Sequence, residues 1–283
     1  MKGQCGKVYC SICREDKKIV LEDINLRLHR CSHCGHAFKI LPKEEQEKYQ
    51  EDYFTEAHKN WFNNPDYRSF EVIYRKILKL KGKKSLRLLD VGCGNGDFLK
   101  YLRKNPRLEL YGIDLVKNEY PGINFITGDM LEENINLKFD IICNLSVIEH
   151  VDSPGLFMKK MHDSLVPDGI IFTVTINEGG LIYGIAKLLK KNGINSAYDK
   201  LYDNHHLQFF SVKSLDFLIK KCGLNNIIQK KHNYSFKAVD YPVANFPIVQ
   251  LYKIAVWIIF FLSDVFNNGI LQTSICRKME YEQ

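Results

Sequence analysis

Apolar runs in the middle of the chain alternate with segments in which apolar residues recur at helical spacing. The continuous runs Leu86–Val91 and Phe139–Leu145 are typical of strands that a parallel sheet buries on both faces. Shorter runs predict further strands at 108–113, 123–126, 170–176, 226–231 and 270–277. Amphipathic spacing predicts helices at 70–80, 96–104, 154–165, 181–190 and 214–222. Strands that alternate with helices in this way indicate an α/β fold.

A glycine-rich turn follows the first of these strands. Asp90 lies near the end of the apolar run, and Gly92, Gly94 and Gly96 alternate after it, directly before a helix. Glycines let a ligand approach the backbone, and N–H groups at a helix start can meet its polar atoms. The unit therefore predicts the nucleotide-binding corner of an open α/β sheet, with a tight turn that binds nothing as the alternative. A dinucleotide-binding fingerprint would need glycine where Asp97 stands, so an NAD oxidoreductase is the weakest interpretation.

The spacing of Asp90 and the glycines resembles motif I of the class I S-adenosylmethionine-dependent methyltransferases. The resemblance implies a Rossmann-like sheet in which Asp90 receives the cationic methionine part of the cofactor. It implies that Asp114 accepts the ribose hydroxyls, since a carboxylate offers two oxygens to a diol, although a solvated aspartate is the alternative. Asp129 and the N–H of Met130 are expected to meet adenine. The predicted cofactor-binding residues are Asp90, Gly92, Cys93, Gly94, Gly96, Asp114, Leu115, Asp129, Met130, Asn144 and Leu145.

Two Cys-x-x-Cys pairs stand near the N-terminus, Cys10 with Cys13 and Cys31 with Cys34. Each pair presents two thiolates, and two such pairs complete a tetrahedral zinc site. Alternating residues between the pairs predict a hairpin, and about forty residues without a metal are too few for an adequate core. We therefore predict a zinc ribbon with a structural Zn²⁺, and redox-active cysteine pairs are the alternative. Spare ligands are Cys5, His29, His33 and His36.

With this ribbon, the chain resembles one group of methyltransferases in which a zinc ribbon and a short linker precede the catalytic core. The linker of that group ends in an acidic residue and Tyr-Phe, which here would be Asp52, Tyr53 and Phe54. Members commonly act in the biosynthesis of surface polysaccharides, sugar nucleotides and secondary metabolites. The resemblance divides the chain into a ribbon (1–42), a helical linker with an N-terminal helix (43–82) and a methyltransferase domain (83–283). Insertions forming a cap are expected at about 178–210 and 234–268, with a polar loop at 192–204.

Four residues are candidates for the chemistry at the methyl acceptor. Glu149 and His150 follow the family's fourth motif, and they could bind a divalent metal, move a proton or only anchor the loop. His206, and less directly His205, precede an aromatic pair that is recurrent in this group and would face the acceptor. A histidine with a pKa near 6.5 suits proton removal from a hydroxyl, and a helix-capping histidine is the alternative.

The resemblance implies methyl transfer to a small-molecule or glycan acceptor, with a sugar hydroxyl or a lipid-linked molecule as the expected substrate. The cofactor's methyl group is already activated, so the protein mainly has to align the acceptor. A first alternative is a methyltransferase of ribosomal or transfer RNA. The ribbon lacks a dense Lys/Arg–aromatic face and the fourth motif lacks an Asn-Pro-Pro-Tyr-like sequence, which argues against nucleic acid. A second alternative is a non-catalytic protein whose ribbon binds a partner.

Composition adds expectations about location and partners. Nine cysteines and a start without an apolar leader indicate a reducing, cytoplasmic location, and the net charge of +7 permits weak attraction to phosphate or anionic lipid. The segment 248–266 is strongly apolar, but its uncharged part, 254–263, is shorter than the about 20 residues of a membrane span. We expect a buried helix or a homodimer contact there, with peripheral membrane association as the alternative.

Overall fold

The computed structural model describes residues 7–42, 64–82, 85–239 and 246–279. Cys5 and the predicted motif at Asp52, Tyr53 and Phe54 lie outside these residues. The strands are β1 (Ile19–Asp23), β2 (Leu28–Cys31), β3 (Ala37–Lys39), β4 (Leu86–Val91), β5 (Leu108–Asp114), β6 (Asn124–Thr127), β7 (Phe139–Leu145), β8 (Leu165–Ile176), β9 (Gln208–Phe209), β10 (Leu224–His232) and β11 (Leu271–Lys278). The helices are α1 (Tyr67–Lys81), α2 (Asp97–Leu102), α3 (Pro154–Asp163), α4 (Leu181–Lys191), α5 (Ser196–Leu201), α6 (Val212–Lys221) and α7 (Phe246–Val265).

The central sheet has seven strands in the order β10-β11-β8-β7-β4-β5-β6. Strand β11 is antiparallel to both of its neighbours, whereas the pairs formed by β8, β7, β4, β5 and β6 are parallel. The most apolar strands, β4 and β7, lie side by side in the middle, as expected for strands buried on both faces. The predicted α/β fold with a Rossmann-like, mostly parallel sheet is therefore confirmed.

Alternate residues of the central strands pack on opposite faces of the sheet. Leu88 and Ile141 belong to a core that includes the buried sides of α1, α2 and α7. Leu89 and Ile142 belong to a second core, which is formed by α3, α6 and part of the N-terminal cysteine segment. The period of two along each strand thus divides the interior into two layers, and the strand ends meet at one edge between them.

A second, four-stranded sheet has the order β1-β2-β3-β9. Its first three strands come from the N-terminal cysteine segment, and the predicted hairpin corresponds to β1 and β2. The fourth strand, β9, is far from the others in sequence. It joins the sheet through the pairs of Ala37 with Phe209 and of Phe38 with Gln208. The N-terminal segment is therefore joined to the large domain by a shared sheet as well as by side-chain packing.

Two elements differ from the sequence prediction. The expected polar loop at 192–204 contains helix α5, because Tyr198 and Tyr202 are buried against the core and fix its turn. The apolar C-terminal segment forms the 20-residue helix α7, of which Pro247–Val265 is long and apolar enough to cross a membrane by length and composition alone. Only 17% of that stretch is buried, so the expected burial of the helix is wrong for most of its surface.

Candidate active site

The glycine-rich loop connects the end of β4 to α2 at the carboxyl edge of the sheet. Gly92 and Gly96 have φ angles of 68° and 75°, in the left-handed region that favours glycine. A Cβ atom at Gly92 would lie 2.5 Å from the Val147 side chain, and one at Gly96 would lie 2.9 Å from Phe125. Both positions therefore need glycine for conformation and for space.

Hydrogen bonds within the protein hold this loop in place. The Gly92 N–H donates to the carbonyl of Ile113 at 2.8 Å, and the Gly94 N–H donates to Asp114 Oδ2 at 2.7 Å. The Gly96 N–H donates to the carbonyl of Cys93 at 2.8 Å. The N–H groups of the three glycines are therefore bonded within the protein. At Gly92 and Gly94, which line a cleft beside the Asp90 carboxyl group, no Cβ atom covers the backbone.

Asp90 is the most unusual group beside this loop. Asp90 is 3% exposed, and its Oδ1 has no hydrogen-bond partner among the described residues. Burial, and secondarily the charge of Asp114, raise the pKa of the Asp90 carboxyl well above its usual value. A cation beside it would favour the charged form. The unpartnered oxygen therefore fits the positively charged methionine part of S-adenosylmethionine.

A cleft of about 900 Å³ extends from the loop along one face of the sheet, which is within the usual size of a small-molecule site. Its lining includes Asp90, Gly92 and Gly94 together with residues of β10 and α7 such as His232 and Phe260. The cleft therefore connects the glycine loop with the surface near α7 in one space.

The remaining predicted cofactor residues occupy different environments. Cys93 and Leu145 line the cleft, whereas Leu115 is 58% exposed. Asp129 is exposed, its Oδ1 accepts a hydrogen bond from the Leu131 N–H at 2.8 Å, and Met130 is buried. Asn144 is fully buried, and its Nδ2 donates to Thr173 Oγ1 at 2.9 Å. The side chain of Asn144 thus contacts the interior of the sheet, while the cofactor contacts of the whole set remain predictions.

The four candidate residues for acceptor chemistry form one cluster, here called the histidine cluster (Glu149, His150, His205 and His206). The His150 Nδ1 lies 2.6 Å from the carbonyl oxygen of His205, and the rings of His150 and His206 are 4.8 Å apart between centroids. Ligand atoms of Glu149, His150 and His206 all lie within 4.8 Å of one another. The structure thus brings the four sequence candidates close together, and their roles remain predictions.

Glu149 is the innermost member of the histidine cluster. It is 1% exposed, and its Oε2 accepts a hydrogen bond from Thr175 Oγ1 at 2.7 Å. Burial raises the pKa of Glu149 to about 7, while the bond from Thr175 acts in the opposite direction. The carboxyl is thus able to change its protonation state near neutral pH, as a proton-transfer group must.

The four predicted zinc ligands converge at the other side of the histidine cluster. Cys10 Sγ and Cys34 Sγ are 3.6 Å apart, Cys13 Sγ and Cys31 Sγ are 3.5 Å apart, and all four sulfurs lie within 4.8 Å of one another. Sulfurs at about 2.3 Å from a tetrahedral Zn²⁺ would have similar separations, whereas a disulfide would need about 2.05 Å. The donor set therefore fits a closed metal site.

Gln208 connects the cysteine segment to the histidine cluster. Its Oε1 lies 2.7 Å from Ser11 Oγ and 2.9 Å from His36 Nε2, and its Nε2 donates to the carbonyl of Val151 at 3.0 Å. The spare ligand His36 thus bonds Gln208 instead of joining the four sulfurs. Because Gln208 follows His205 and His206 closely in the chain, the ribbon fixes the backbone that carries these histidines.

His232 is a cleft residue that the sequence analysis did not single out. It is the last residue of β10, its Nε2 lies 2.8 Å from Thr273 Oγ1, and burial lowers its pKa below the usual value. The sequence did contain a signal for this residue. His232 is a polar residue at the carboxyl end of a predicted strand, and ligands bind at that edge of open α/β sheets. The histidine is therefore a neutral polar group in the wall of the cleft.

Comparison with known proteins agrees with this geometry. The profile of a methyltransferase-domain family matches residues 66–229, which is more than half of the chain. The chain belongs to this family, and its recognition as a class I S-adenosylmethionine-dependent methyltransferase is confirmed.

Among curated proteins, the chain is 31% identical over 173 residues to a mitochondrial ubiquinone biosynthesis O-methyltransferase of Dictyostelium discoideum, covering 47% of this chain and 54% of that protein. A malonyl-[acyl-carrier protein] O-methyltransferase of Calditerrivibrio nitroreducens is 32% identical over 97 residues, covering 33% of this chain and 40% of that protein. The chain spans about half the length of the curated relatives it matches.

Among solved structures, the 1,6-didemethyltoxoflavin-N1-methyltransferase of Burkholderia thailandensis, solved with bound S-adenosylhomocysteine, has a TM-score of 0.52 and 14% identity. The match covers 87% of this chain and 96% of that one. A S-adenosylmethionine-dependent methyltransferase of Archaeoglobus fulgidus has a TM-score of 0.50 and 16% identity, covering 82% and 99%. At these identities the similarity establishes the fold alone.

Proposed function

We propose that this chain transfers the methyl group of S-adenosylmethionine to a hydroxyl group of a small-molecule acceptor. The observation that carries the proposal is the buried Asp90 carboxyl, with an unpartnered oxygen, beside a loop that only glycines can form. S-adenosylmethionine supplies a methyl group on positively charged sulfur, which is already activated for displacement. The positive charge would complement Asp90. Asp114 is the residue proposed to meet the ribose hydroxyls, and its Oδ2 and Oδ1 also accept hydrogen bonds from the N–H groups of Gly94 and Val116.

The chain's own task is then to align the acceptor and to remove its proton. The cleft supplies alignment, because it continues from the glycine loop to α7. For the proton, His206 and Glu149 of the histidine cluster remain the predicted groups, and His232 is a third one that borders the cleft directly. A base is needed for a hydroxyl acceptor, since its proton must leave as the new C–O bond forms.

Oxygen is the proposed acceptor atom because both curated relatives named above are O-methyltransferases. The finer assignment, a sugar or related metabolite, is part of the same proposal. It is supported by the cleft lining, which combines polar groups such as Ser69 and Asn233 with aromatic rings such as Phe260. Aromatic faces pack on apolar parts of a ligand, while amides and hydroxyls orient its hydroxyl groups.

We propose further that Cys10, Cys13, Cys31 and Cys34 bind one structural Zn²⁺. Cys10, Cys31 and Cys34 are almost completely buried, and a site with four protein ligands leaves no position open for a substrate. Substitution with Co²⁺ would test the ligand set, because four thiolates give intense sulfur-to-metal absorption. A spectrum without that absorption would contradict the assignment.

Binding and methyl-transfer measurements together test the main proposal. The full chain should bind S-adenosylmethionine in calorimetry, and label from the methyl-labelled cofactor should enter glycoside, phenolic or lipid-linked hydroxyl acceptors. Transfer into ribosomal or transfer RNA instead would support the RNA alternative. The variant Asp90→Asn should bind about 10–100-fold more weakly, and Asp216→Asn, in a surface ion pair with Lys220, should bind like wild type. No binding by the wild-type chain would refute the proposal.

A further inference from the structure

Helix α7 presents a broad apolar surface that the described part of the chain does not cover. Nine large apolar side chains of this surface are between 36% and 68% exposed. These residues, here called the apolar face, are Ile248, Leu251, Ile254, Trp257, Ile258, Phe261, Leu262, Val265 and Phe266. Soluble proteins rarely expose a contiguous apolar patch of this kind unless it contacts a membrane or another molecule.

The opposite side of α7 is fixed to the domain. Val256, Phe260 and Ser263 are buried, and Asn233 Nδ2 donates to the Phe260 carbonyl at 3.1 Å, to Ser263 Oγ at 2.9 Å and to Asp264 Oδ1 at 2.8 Å. A helix that crossed a bilayer would have to give up these contacts. The helix is therefore held with its axis along the domain and its apolar face outward.

Basic side chains lie on α7 and on two helices that contact it. Lys253 lies on α7 itself, the Lys200 ammonium on α5 is 5.7 Å from the centre of the Tyr252 ring, and Lys191 ends the neighbouring helix α4 and is exposed. The net charge of the chain is +7. An apolar surface with lysines beside it complements an anionic lipid surface.

A second copy of the chain fits this surface less well. The usual symmetric dimer places the same patch of both chains face to face, so the positive charges of Lys191, Lys200 and Lys253 from both copies would be brought into one interface. Lipid head groups instead offer negative charge at the level of the lysines, and acyl chains take up the apolar side chains. Trp257 is the residue type that is most favoured at this boundary.

The apolar face also borders the cleft. Trp257 and Phe261 contribute both to the exposed surface and to the lining of the cavity whose far end is formed by Asp90 and Gly92. From the membrane surface, a molecule with an apolar chain could keep that chain along α7 while its polar end enters the cleft. Val72 of α1, which is 48% exposed, is a further exposed apolar side chain in the lining, so the opening of the cleft toward α7 is apolar on more than one side.

We infer that α7 docks this protein on the interface of an anionic membrane, and that its acceptor is an amphiphile that enters the cleft from the lipid side. The docking part stands on the surface alone, whereas the acceptor class rests on the proposed function. The class is defined by chemistry as a hydroxyl-bearing polar head joined to a long apolar chain.

Vesicle flotation tests the docking. Wild-type protein should float with vesicles of phosphatidylcholine and phosphatidylglycerol, and Leu251→Glu with Ile258→Glu should reduce the bound fraction by roughly tenfold or more. These two residues are on the apolar face but do not line the cleft, so affinity for S-adenosylmethionine should be unchanged. Matched controls are Ile24→Glu and Leu156→Glu, which change exposed apolar residues of the ribbon and of α3 and should bind like wild type.

The contribution of the lysines to vesicle binding and the depth at which Trp257 inserts can be measured separately. Lys191→Gln with Lys200→Gln should weaken binding to anionic vesicles severalfold and remove most of its salt dependence. Trp61→Phe leaves Trp257 as the single tryptophan, whose emission should shift to the blue and be quenched by brominated acyl chains. Emission that is unchanged by vesicles would overturn the docking.

The outcomes separate this inference from the proposed function. A chain that stays in solution with every vesicle, or forms a dimer broken by Leu251→Glu with Ile258→Glu, would refute the docking while methyl transfer could still be observed. Vesicle binding without cofactor binding would refute the proposed function and leave the docking intact. Methylation of short soluble acceptors at the same kcat/KM as their long-chain forms on vesicles would refute the amphiphilic acceptor.

Discussion

The glycine-rich loop and the histidine cluster both lie near the carboxyl edge of the central sheet, but they are assembled in different ways. The loop is built from residues close in sequence, and Ile113 and Asp114 of the adjacent strand complete its hydrogen bonds. The histidine cluster instead joins Glu149 and His150 to His205 and His206, which the N-terminal ribbon holds through β9. The glycine-rich loop is therefore local, whereas the histidine cluster depends on long-range packing and on the predicted metal.

The largest effect should follow from removing the predicted zinc. We expect Cys31→Ser, or a strong chelator, to lower the free energy of unfolding by roughly 5 kcal/mol or more, because structural zinc contributes directly to folding. The ribbon shares a sheet with β9, so denaturant unfolding should remain a single transition at lower midpoint. Amide hydrogen exchange should accelerate around 205–210 more than around 90–96. Two transitions, with the larger one unchanged, would contradict this coupling.

A smaller but still large effect is expected from His206→Asn. If His206 removes the acceptor proton, kcat should fall by about 10²–10⁴-fold with unchanged affinity for S-adenosylmethionine, because a general base acts on the acceptor step. Steady-state kinetics and calorimetry measure the two quantities. His29→Asn, in the ribbon, serves as the control. An unaltered kcat for His206→Asn would indicate that the histidine cluster has a structural role. His232 would then be the next candidate for the group that removes the acceptor proton.

Asp90→Asn tests the glycine-rich loop, the other of the two regions compared above. We expect the dissociation constant for S-adenosylmethionine to rise by about 10–100-fold, since an interaction between charged groups contributes roughly 1.5–3 kcal/mol. Hydrogen exchange in the histidine cluster should stay unchanged, because the two regions share no hydrogen bond among the described residues. Affinity within twofold of wild type would show that Asp90 does not meet the cofactor.

The smallest effect is expected on the pH dependence of the thermal stability of Asp90→Asn, measured without cofactor. The native-state pKa of Asp90 is raised above 3.8, so the unfolded chain releases this proton first as the pH rises. Wild-type stability is therefore lost from about pH 4 upward until the native-state pKa is passed. Asp90→Asn should consequently have the higher Tm at pH 7, by roughly 2–4 °C for each kcal/mol, and this advantage should vanish below about pH 4. Thermal unfolding across this range measures the difference, and a lower Tm at pH 7 would contradict it.

Local patterns predicted the parts of the molecule that local forces determine. The apolar runs of β4 and β7 need burial on both faces, and the alternating glycines after Asp90 need left-handed backbone, so both could be recognised from neighbouring residues. The two Cys-x-x-Cys pairs were recognisable for the same reason, because the chemistry of a zinc site is carried by spacing.

Elements that depend on distant partners were not predicted. Helix α5 has a polar sequence and is fixed by Tyr198 and Tyr202, whose burial depends on α4 and Phe209. The pairing of β3 with β9 joins residues that no local pattern connects. The exposure of α7 was also missed, because an apolar helix in a core and one on a surface have the same composition.

The two-residue strand β9 has a consequence for how the chain folds during synthesis. The cysteine segment leaves the ribosome before β9, so the outer edge of β3 acquires its partner only when residues 208 and 209 emerge. Until then that edge is open to pairing with other nascent chains, the hazard that exposed edge strands create. Binding of the predicted metal would stabilise the cysteine segment but would leave this edge of β3 uncovered. We therefore expect the yield of native protein to change with expression temperature and with the rate of translation.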